Sequence, residues 1–136
     1  MRRLLCGTAV LIALTMAATA AEDARLDNVR KEWQNAYGAI IYTVLADVVN
    51  TSDHPLQYVK VKVTLVDKNG VPVAERVGYN VGAERLGDES PGSFADKLKR
   101  VQPIAPHGAD LFRLSFDKPE IGKPFRSVSV SVVETR

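Results

Sequence analysis

The sequence predicts an all-β protein, an antiparallel β-sandwich of about six to seven strands. Several short segments alternate apolar and polar residues with a period of two, as strands with one buried face do. Gly, Pro, Asn and Asp separate these segments at short intervals. We find no internal repeat and no heptad pattern, so one small sandwich domain accounts for the pattern.

Residues 1–20 are predicted to be a secretory signal peptide. Two arginines precede an apolar run, Leu4 to Ala18, which ends in the small-residue cleavage site Ala18-Thr19-Ala20. The run is too short for a membrane-spanning helix, although an uncleaved anchor remains the alternative. We therefore expect a periplasmic or secreted bacterial protein with no stable membrane insertion after cleavage.

The composition excludes several classes of function. Cleavage would remove Arg2 and Arg3 from the 18 Lys and Arg, and the remainder would balance the 16 Asp and Glu. A neutral mature chain has no net field that steers it towards nucleic acid or an anionic membrane. Cys6, the only cysteine, lies in the predicted signal, so we expect neither a disulfide nor a cysteine metal site.

Residues 21–37 form an N-terminal segment for which helix and strand both remain open. Leu26, Val29, Trp33 and Tyr37 recur at helical spacing. The same span also fits a first strand with Trp33 packed on the sandwich core. An exposed Trp33 would indicate a binding surface, but a role in the core or as its cap is preferred. The sandwich domain itself is assigned to residues 38–136.

Residues 39–50 are predicted to be a strand that is apolar on both faces. Tyr42, Val44 and Val48 share one face, and Ile41, Leu45 and Val49 lie on the other. Such a strand is usually covered on both sides. The second face should therefore be covered by the N-terminal segment or by a partner molecule.

Residues 56–82 are predicted to be a β-hairpin. Val59, Val61, Val63 and Leu65 form its buried face, and Asn69-Gly70 lies in the turn. Residues 82–97 then form a long loop rich in Gly, Ser, Pro and charge, with a helical turn near residues 93–100 and Phe94 holding it to the domain. Long ordered loops are often functional. Strands at 110–117 and 125–134, joined by a connection bracketed by prolines, complete the domain.

From Tyr37 onwards the chain resembles small exported bacterial sandwich domains of the FxLYD type, which are similar to immunoglobulin-like late-embryogenesis-abundant domains. The likeness rests on residues 44–52, 56–70, 104–108 and 112–116. Val63 and Val66 replace the Phe and Tyr of the naming motif, His107 is inserted between Pro106 and Gly108, and the loop at 82–97 is longer. The resemblance implies an immunoglobulin-like fold with an accessory or binding role, and no catalytic residues.

Titratable residues give no clear active site. His54 and His107 lie in turns where Asp53 or Asp110 would be the nearest carboxylates, but two histidines without Cys or Met make a poor metal site. The loop acids Asp88, Glu89 and Asp96 lack an identifiable nucleophile and base. We therefore expect no enzyme, no metal and no cofactor.

The sequence-based hypothesis is a non-enzymatic protein-interaction or accessory module of the cell envelope, with an unknown protein partner. The alternative is a small-molecule or glycan-binding module that uses the 82–97 loop. The residues expected to contact a partner are Ile41, Leu45, Val49, Tyr79 and Phe94.

Overall fold

A computed structural model describes residues 16–18 and 23–136. Its elements are β1 (Met16–Ala18), β2 (Ala24–Ala36), β3 (Ala39–Asn50), β4 (Val59–Val66), β5 (Pro72–Tyr79), a 3₁₀-helix (Val81–Gly87), α1 (Phe94–Leu98), β6 (Ala109–Asp117), α2 (Lys118–Ile121) and β7 (Ser127–Thr135). One sheet has the order β1-β7-β4-β5 and the other β2-β3-β6. The predicted all-β sandwich is confirmed.

The predicted signal peptide lies mostly outside the described residues and stays a prediction. Within it, β1 pairs in parallel with β7, with Met16 opposite Val128. The other strand pairs of the described chain are antiparallel. No helix among the described residues is long and apolar enough to cross a membrane.

The N-terminal segment is a strand, which decides between the two alternatives left open by the sequence. The helical spacing of its apolar residues has a local cause. A β-bulge shifts the register between Asp27 and Arg30, with Asn28 at a φ of 52°. The bulge inserts one extra residue, so Leu26 and Val29 both pack on the core although they are three positions apart. A strand interrupted in this way resembles a helix in sequence.

β2 and β3 form a hairpin around a two-residue turn. Tyr37 and Gly38 have φ values of 52° and 83°, and Ala36 pairs with Ala39. Two consecutive positive φ angles define the type I′ turn, whose twist matches that of paired strands. β2 consequently lies beside β3 in one sheet and does not cover the outer face of β3. The expected intramolecular cover of Ile41, Leu45 and Val49 by this segment is wrong.

The core lies between the two sheets and follows the predicted alternation. Val59, Val61, Val63 and Leu65 are fully buried, and Phe112 and Phe116 face them from β6. On β5 Val77 lies on the outer face and is 46% exposed, because the residue opposite Val63 is Arg76. Gly78 is also inward, and a Cβ there would lie 3.1 Å from Cδ1 of Leu114. The absent side chain lets β5 approach β6 closely.

Arg76 joins the two sheets along this edge. Its guanidinium donates a hydrogen bond to the carbonyl of Ser115 on β6 and lies 3.8 Å from Glu120 of α2. This inward position on an edge strand is therefore occupied by a cation with partners on the opposite sheet.

Asn50 holds the end of the sandwich at which β3 ends. It is fully buried, and its Nδ2 donates to the carbonyls of His54, Ile104 and Ala105 at 2.8, 3.0 and 3.2 Å. Its Oδ1 accepts from the backbone and hydroxyl of Ser52 at 2.9 and 2.6 Å. The turn after β3 is therefore organised by one buried amide.

We expect Asn50→Ala to destabilise the domain by about 3 kcal/mol, because it leaves several buried backbone groups without a partner. Chemical denaturation measures this loss. Asn35→Ala, on the exposed part of β2, is the matched control and should change the free energy of unfolding by less than about 0.5 kcal/mol. Equal effects from both variants would contradict the role given to Asn50.

Candidate functional site

A groove of about 690 Å³ opens at the end of the sandwich that carries the β2–β3 turn. It lies between the inner side of that hairpin and the α2–β7 connection. The lining residues come from these two regions: Lys31, Glu32, Trp33, Tyr42, Lys118, Ile121, Gly122, Lys123, Pro124 and Phe125. The groove has the size of a site for a small ligand or for one or two side chains of a partner.

Three aromatic rings form the apolar wall of the groove. The Trp33 and Tyr42 ring centroids are 4.9 Å apart, those of Tyr42 and Phe125 are also 4.9 Å apart, and those of Trp33 and Phe125 are 6.1 Å apart. Trp33 is 50% exposed, whereas Tyr42 is only 4% exposed. Trp33 thus covers Tyr42, as a cap of the core would, and also exposes half of its surface, as a binding residue would. The two roles considered from the sequence are combined in one side chain.

Tyr42 brings a polar group, its phenolic hydroxyl, to the groove. Among the described residues its hydroxyl makes no hydrogen bond, although Tyr42 is one of the most buried residues of the groove. Burial raises the pKa of Tyr42 to about 12. Buried polar groups usually have a partner, so this hydroxyl is available to a group bound in the groove.

The connection after β6 is a short helix, which the sequence analysis did not assign. In α2 the Asp117 side chain accepts from the backbone of Glu120, and the Glu120 side chain accepts from the backbone of Asp117 at 2.8 Å. This reciprocal capping box begins the helix, and Gly122 ends it at a φ of 68°. The helix buries Ile121 and places Lys118 and Lys123 at the groove.

Lysines dominate the charge at the groove. Lys31, Lys118 and Lys123 line it beside one carboxylate, Glu32, and none of the three forms an ion pair with another described residue. Of the thirteen other lysines and arginines that the structure describes, seven lie within 4.0 Å of a carboxylate: Arg25, Arg30, Lys60, Lys62, Arg76, Lys97 and Arg113. The groove is therefore a place where positive charge is left uncompensated.

Three residues expected to contact a partner lie elsewhere. Ile41, Leu45 and Val49 are half-buried on the outer face of the β2-β3-β6 sheet. Arg30 and Arg113 flank Leu45 on the neighbouring strands. Long arginine stems can shield such aliphatic groups while their charged ends stay in water. This face is therefore mixed in character, and its role as a partner surface stays a prediction.

Tyr79 and Phe94 lie at the opposite end of the sandwich from the groove. Tyr58 contacts both rings edge-on, at centroid distances of 5.4 Å to Tyr79 and 6.3 Å to Phe94. Tyr58, Ala83 and Leu86 form a second small core, with Tyr79 and Leu98 packed against it. The predicted loop is thus largely folded, as a 3₁₀-helix and as α1, whose N-cap is Ser93.

Asp110 holds this loop in place. Its carboxylate accepts from the Asn80 side chain at 2.8 Å and from the backbone of Gly82 at 2.7 Å. The carboxylate of Asp110 therefore has a structural role, and no described contact joins it to His107. His107 instead lies 3.0 Å from Asp53, and both side chains are exposed. No group of three potential metal ligands occurs in the described part of the chain.

A family model matches residues 13–123, most of the chain; it is DUF3426, described as a protein of unknown function. The chain belongs to the DUF3426 family. No curated protein and no solved structure matches it. The likeness to FxLYD-type domains stays a prediction.

The DUF3426 match includes most of the groove. It contains Lys31, Trp33, Tyr42 and all of α2, and it ends just before Pro124 and Phe125. Sequence reasoning missed this site because its residues come from three segments that have no common motif. The available signal was Trp33, the only tryptophan, whose exposure depends on the bulge that places it beside Tyr42.

The raised pKa of Tyr42 makes stability depend on pH. The folded state holds this proton more tightly than the unfolded state does, so its contribution is complete below about pH 10 and is lost as the pH rises towards 12. At the high end of this pH range, the free energy of unfolding of the unaltered protein should have fallen by roughly 2 kcal/mol more than that of Tyr42→Phe, which has no phenolic proton to lose. The measurement is the free energy of unfolding between pH 8 and about pH 11.5.

Tyr37→Phe is the control, because the Tyr37 side chain is fully exposed at the hairpin turn. Its pH curve should follow that of the unaltered protein. A Tyr42→Phe curve that is parallel to both would show that the hydroxyl is not held in a desolvated position.

Proposed function

We propose that this DUF3426 chain is an exported, non-enzymatic binding module of the bacterial cell envelope, and that it binds a protein partner through the aromatic groove. The observation that carries the proposal is the half-exposed Trp33 in a cluster with Tyr42 and Phe125. Tryptophan and tyrosine are enriched among the residues that dominate binding energy at protein interfaces. Export is supported by the N-terminal charge, apolar run and cleavage pattern.

The chemistry of the groove supports binding more than catalysis. The described residues that line it include one carboxylate, Glu32, and no histidine, serine or cysteine. General acid–base or nucleophilic catalysis requires a base placed within hydrogen-bond reach of a reacting group. The His107–Asp53 pair is exposed and lies at the Asn50 end of the sandwich, away from the groove.

A small-molecule or glycan site in the 82–97 loop has weaker support. A cleft of about 270 Å³ is present there, bordered by Arg85, Pro91 and Lys97. However, Tyr79 is packed against the second core and Phe94 contacts Tyr58. Tyr79 is therefore engaged within the protein, whereas Phe94 remains 44% exposed.

The proposal predicts site-specific contact with a partner in living cells. A photoreactive phenylalanine analogue that replaces Lys31 or Lys118 at the groove should form an adduct with one discrete protein upon irradiation. The same replacement of Val133, which is 48% exposed on β7, is the control and should not form that adduct. Gel shifts followed by mass spectrometry identify the product.

Trp33→Ala tests whether the groove itself is responsible. In a chain that also carries the photoreactive residue at position 118, it should abolish the adduct while circular dichroism shows an intact sheet structure. An adduct of equal yield at position 133, or one that persists without the indole, would refute the groove as the partner site.

A further inference from the structure

We propose that the groove and the open edge of β2 together bind an extended, acidic peptide segment of the partner, which adds as a strand beside β2. This inference deepens the proposed function and rests on it. It names the chemistry of the partner: carboxylates to meet the lysines, and an apolar or aromatic side chain to enter the groove.

The outer edge of β2 can accept a strand. Among the described strands of the β2-β3-β6 sheet, β2 is an edge strand that pairs with β3 alone. In a hairpin with a two-residue turn, the residues that flank the turn form a hydrogen-bonded pair, and such pairs recur at every second position. Ala36 and Ala39 are that first pair. The backbone groups of Lys31, Trp33 and Asn35 therefore point away from β3, towards the open edge.

The same alternation places side chains at the groove. Trp33 is opposite Tyr42, and Lys31 is opposite Val44, both of which face the inner side of the sheet. Lys31 and Trp33 line the groove. A peptide that hydrogen-bonds to their backbone would direct every second side chain towards the groove, which is how added strands achieve specificity.

The charge at the groove selects acidic segments. Lys31, Lys118 and Lys123 lie on both sides of the aromatic wall and have no acidic partner among the described residues. Complementary charge accelerates encounter and excludes partners of the same sign. A basic segment would instead place its cations beside three lysines.

The aromatic wall and Tyr42 provide an anchor point. An aromatic or aliphatic side chain of the peptide can pack in the groove against the exposed half of Trp33. There it meets the hydroxyl of Tyr42, which makes no hydrogen bond to the described residues, and a backbone carbonyl or carboxylate of the peptide can accept from it. Burial of the exposed half of Trp33 adds apolar area to the interface.

An anionic polysaccharide fits this surface less well. The three rings are inclined to one another by 58°, 35° and 66° and form a corner instead of a flat platform for sugar rings. The lining also offers few groups that accept hydrogen bonds from sugar hydroxyls, since Glu32 is its only carboxylate. A peptide can form backbone hydrogen bonds along the open edge of β2, whereas a glycan has no peptide backbone to pair with it.

The test uses the emission of Trp33, which is the only tryptophan and reports the groove without a label. The probe is a synthetic seven-residue peptide with blocked ends, Glu-Ser-Phe-Ser-Glu-Ser-Glu, whose Phe and Glu side chains all lie on one face of an added strand. As this peptide is added, the emission of Trp33 should shift to the blue and reach saturation. The affinity should fall as salt is added, because salt screens the attraction between the lysines and the carboxylates. A peptide with Lys in place of Glu should bind roughly tenfold more weakly or not at all.

Charge reversal provides the matched variants. The combined change Lys31→Glu, Lys118→Glu and Lys123→Glu should weaken binding of the acidic peptide by roughly tenfold or more. Arg85→Glu, Lys99→Glu and Arg100→Glu, exposed residues at the other end, make the same change in net charge and should leave affinity within about twofold. Thermal unfolding checks that both variants fold.

Any one of four results would overturn the inference. The first three are equal binding of both peptides, equal losses from the two charge-reversal sets, and a response to oligogalacturonate in place of the acidic peptide. The fourth is self-association of the chain through the β2 edge, seen by light scattering. If the crosslinked adduct forms at the groove but the acidic peptide shows no preference, the proposed function stands and the assigned chemistry fails.

Discussion

The β-bulge at Asn28 is the local constraint on which the groove depends. Side chains of a strand alternate between faces, and one inserted residue reverses the alternation from that point onwards. Leu26 faces the core before the bulge, and Val29 faces it afterwards. An uninterrupted strand would turn Trp33 to the outer face, away from Tyr42. The bulge thus places the only tryptophan on the inner side of the hairpin, at an end where the opposite sheet leaves half of it uncovered.

The two ends of the sandwich are built differently. At the end where β3 stops, polar side chains such as Asn50, Asn80 and Asp110 are used up in hydrogen bonds to the backbone and to one another. These bonds hold the loops in place. Because these side chains already have partners within the protein, they are not available to bind a ligand. At the other end, α2 is capped by its own residues and leaves the lysines beside it unpaired. The end with Asn50 stabilises the fold, whereas the other end keeps the half-exposed Trp33 and the unpaired lysines on which the proposed binding depends.

Sequence patterns predicted the fold well because burial on one face imposes a period of two, which Val59, Val61, Val63 and Leu65 follow without interruption. They left helix and strand both open at β2, since Leu26, Val29 and Trp33 acquired helical spacing from the bulge. They failed at the site. The groove is formed by β2, β3 and the α2–β7 connection, and no spacing along the chain predicts that Phe125 meets Trp33. The composition of the long loop predicted a functional role for it, yet Tyr58 and Leu86 form a small core that holds the loop against the domain.

A site built on strands has an energetic advantage over the loop site that the composition suggested. A flexible loop must be ordered when it binds, and each immobilised side chain costs about 0.5–1.5 kcal/mol of binding free energy. Trp33 is held by a type I′ hairpin and by contact with Tyr42, and Ile121 is fixed beneath by the capped α2. Most of the ordering is thus completed during folding. The remaining mobile groups are the lysines, whose attraction for carboxylates acts over about 10 Å and tolerates variation in the partner. The rigid aromatic rings would recognise the shape of a bound side chain, and the flexible lysines would recognise the negative charge of the peptide. Together they suit a short acidic segment whose exact sequence can vary.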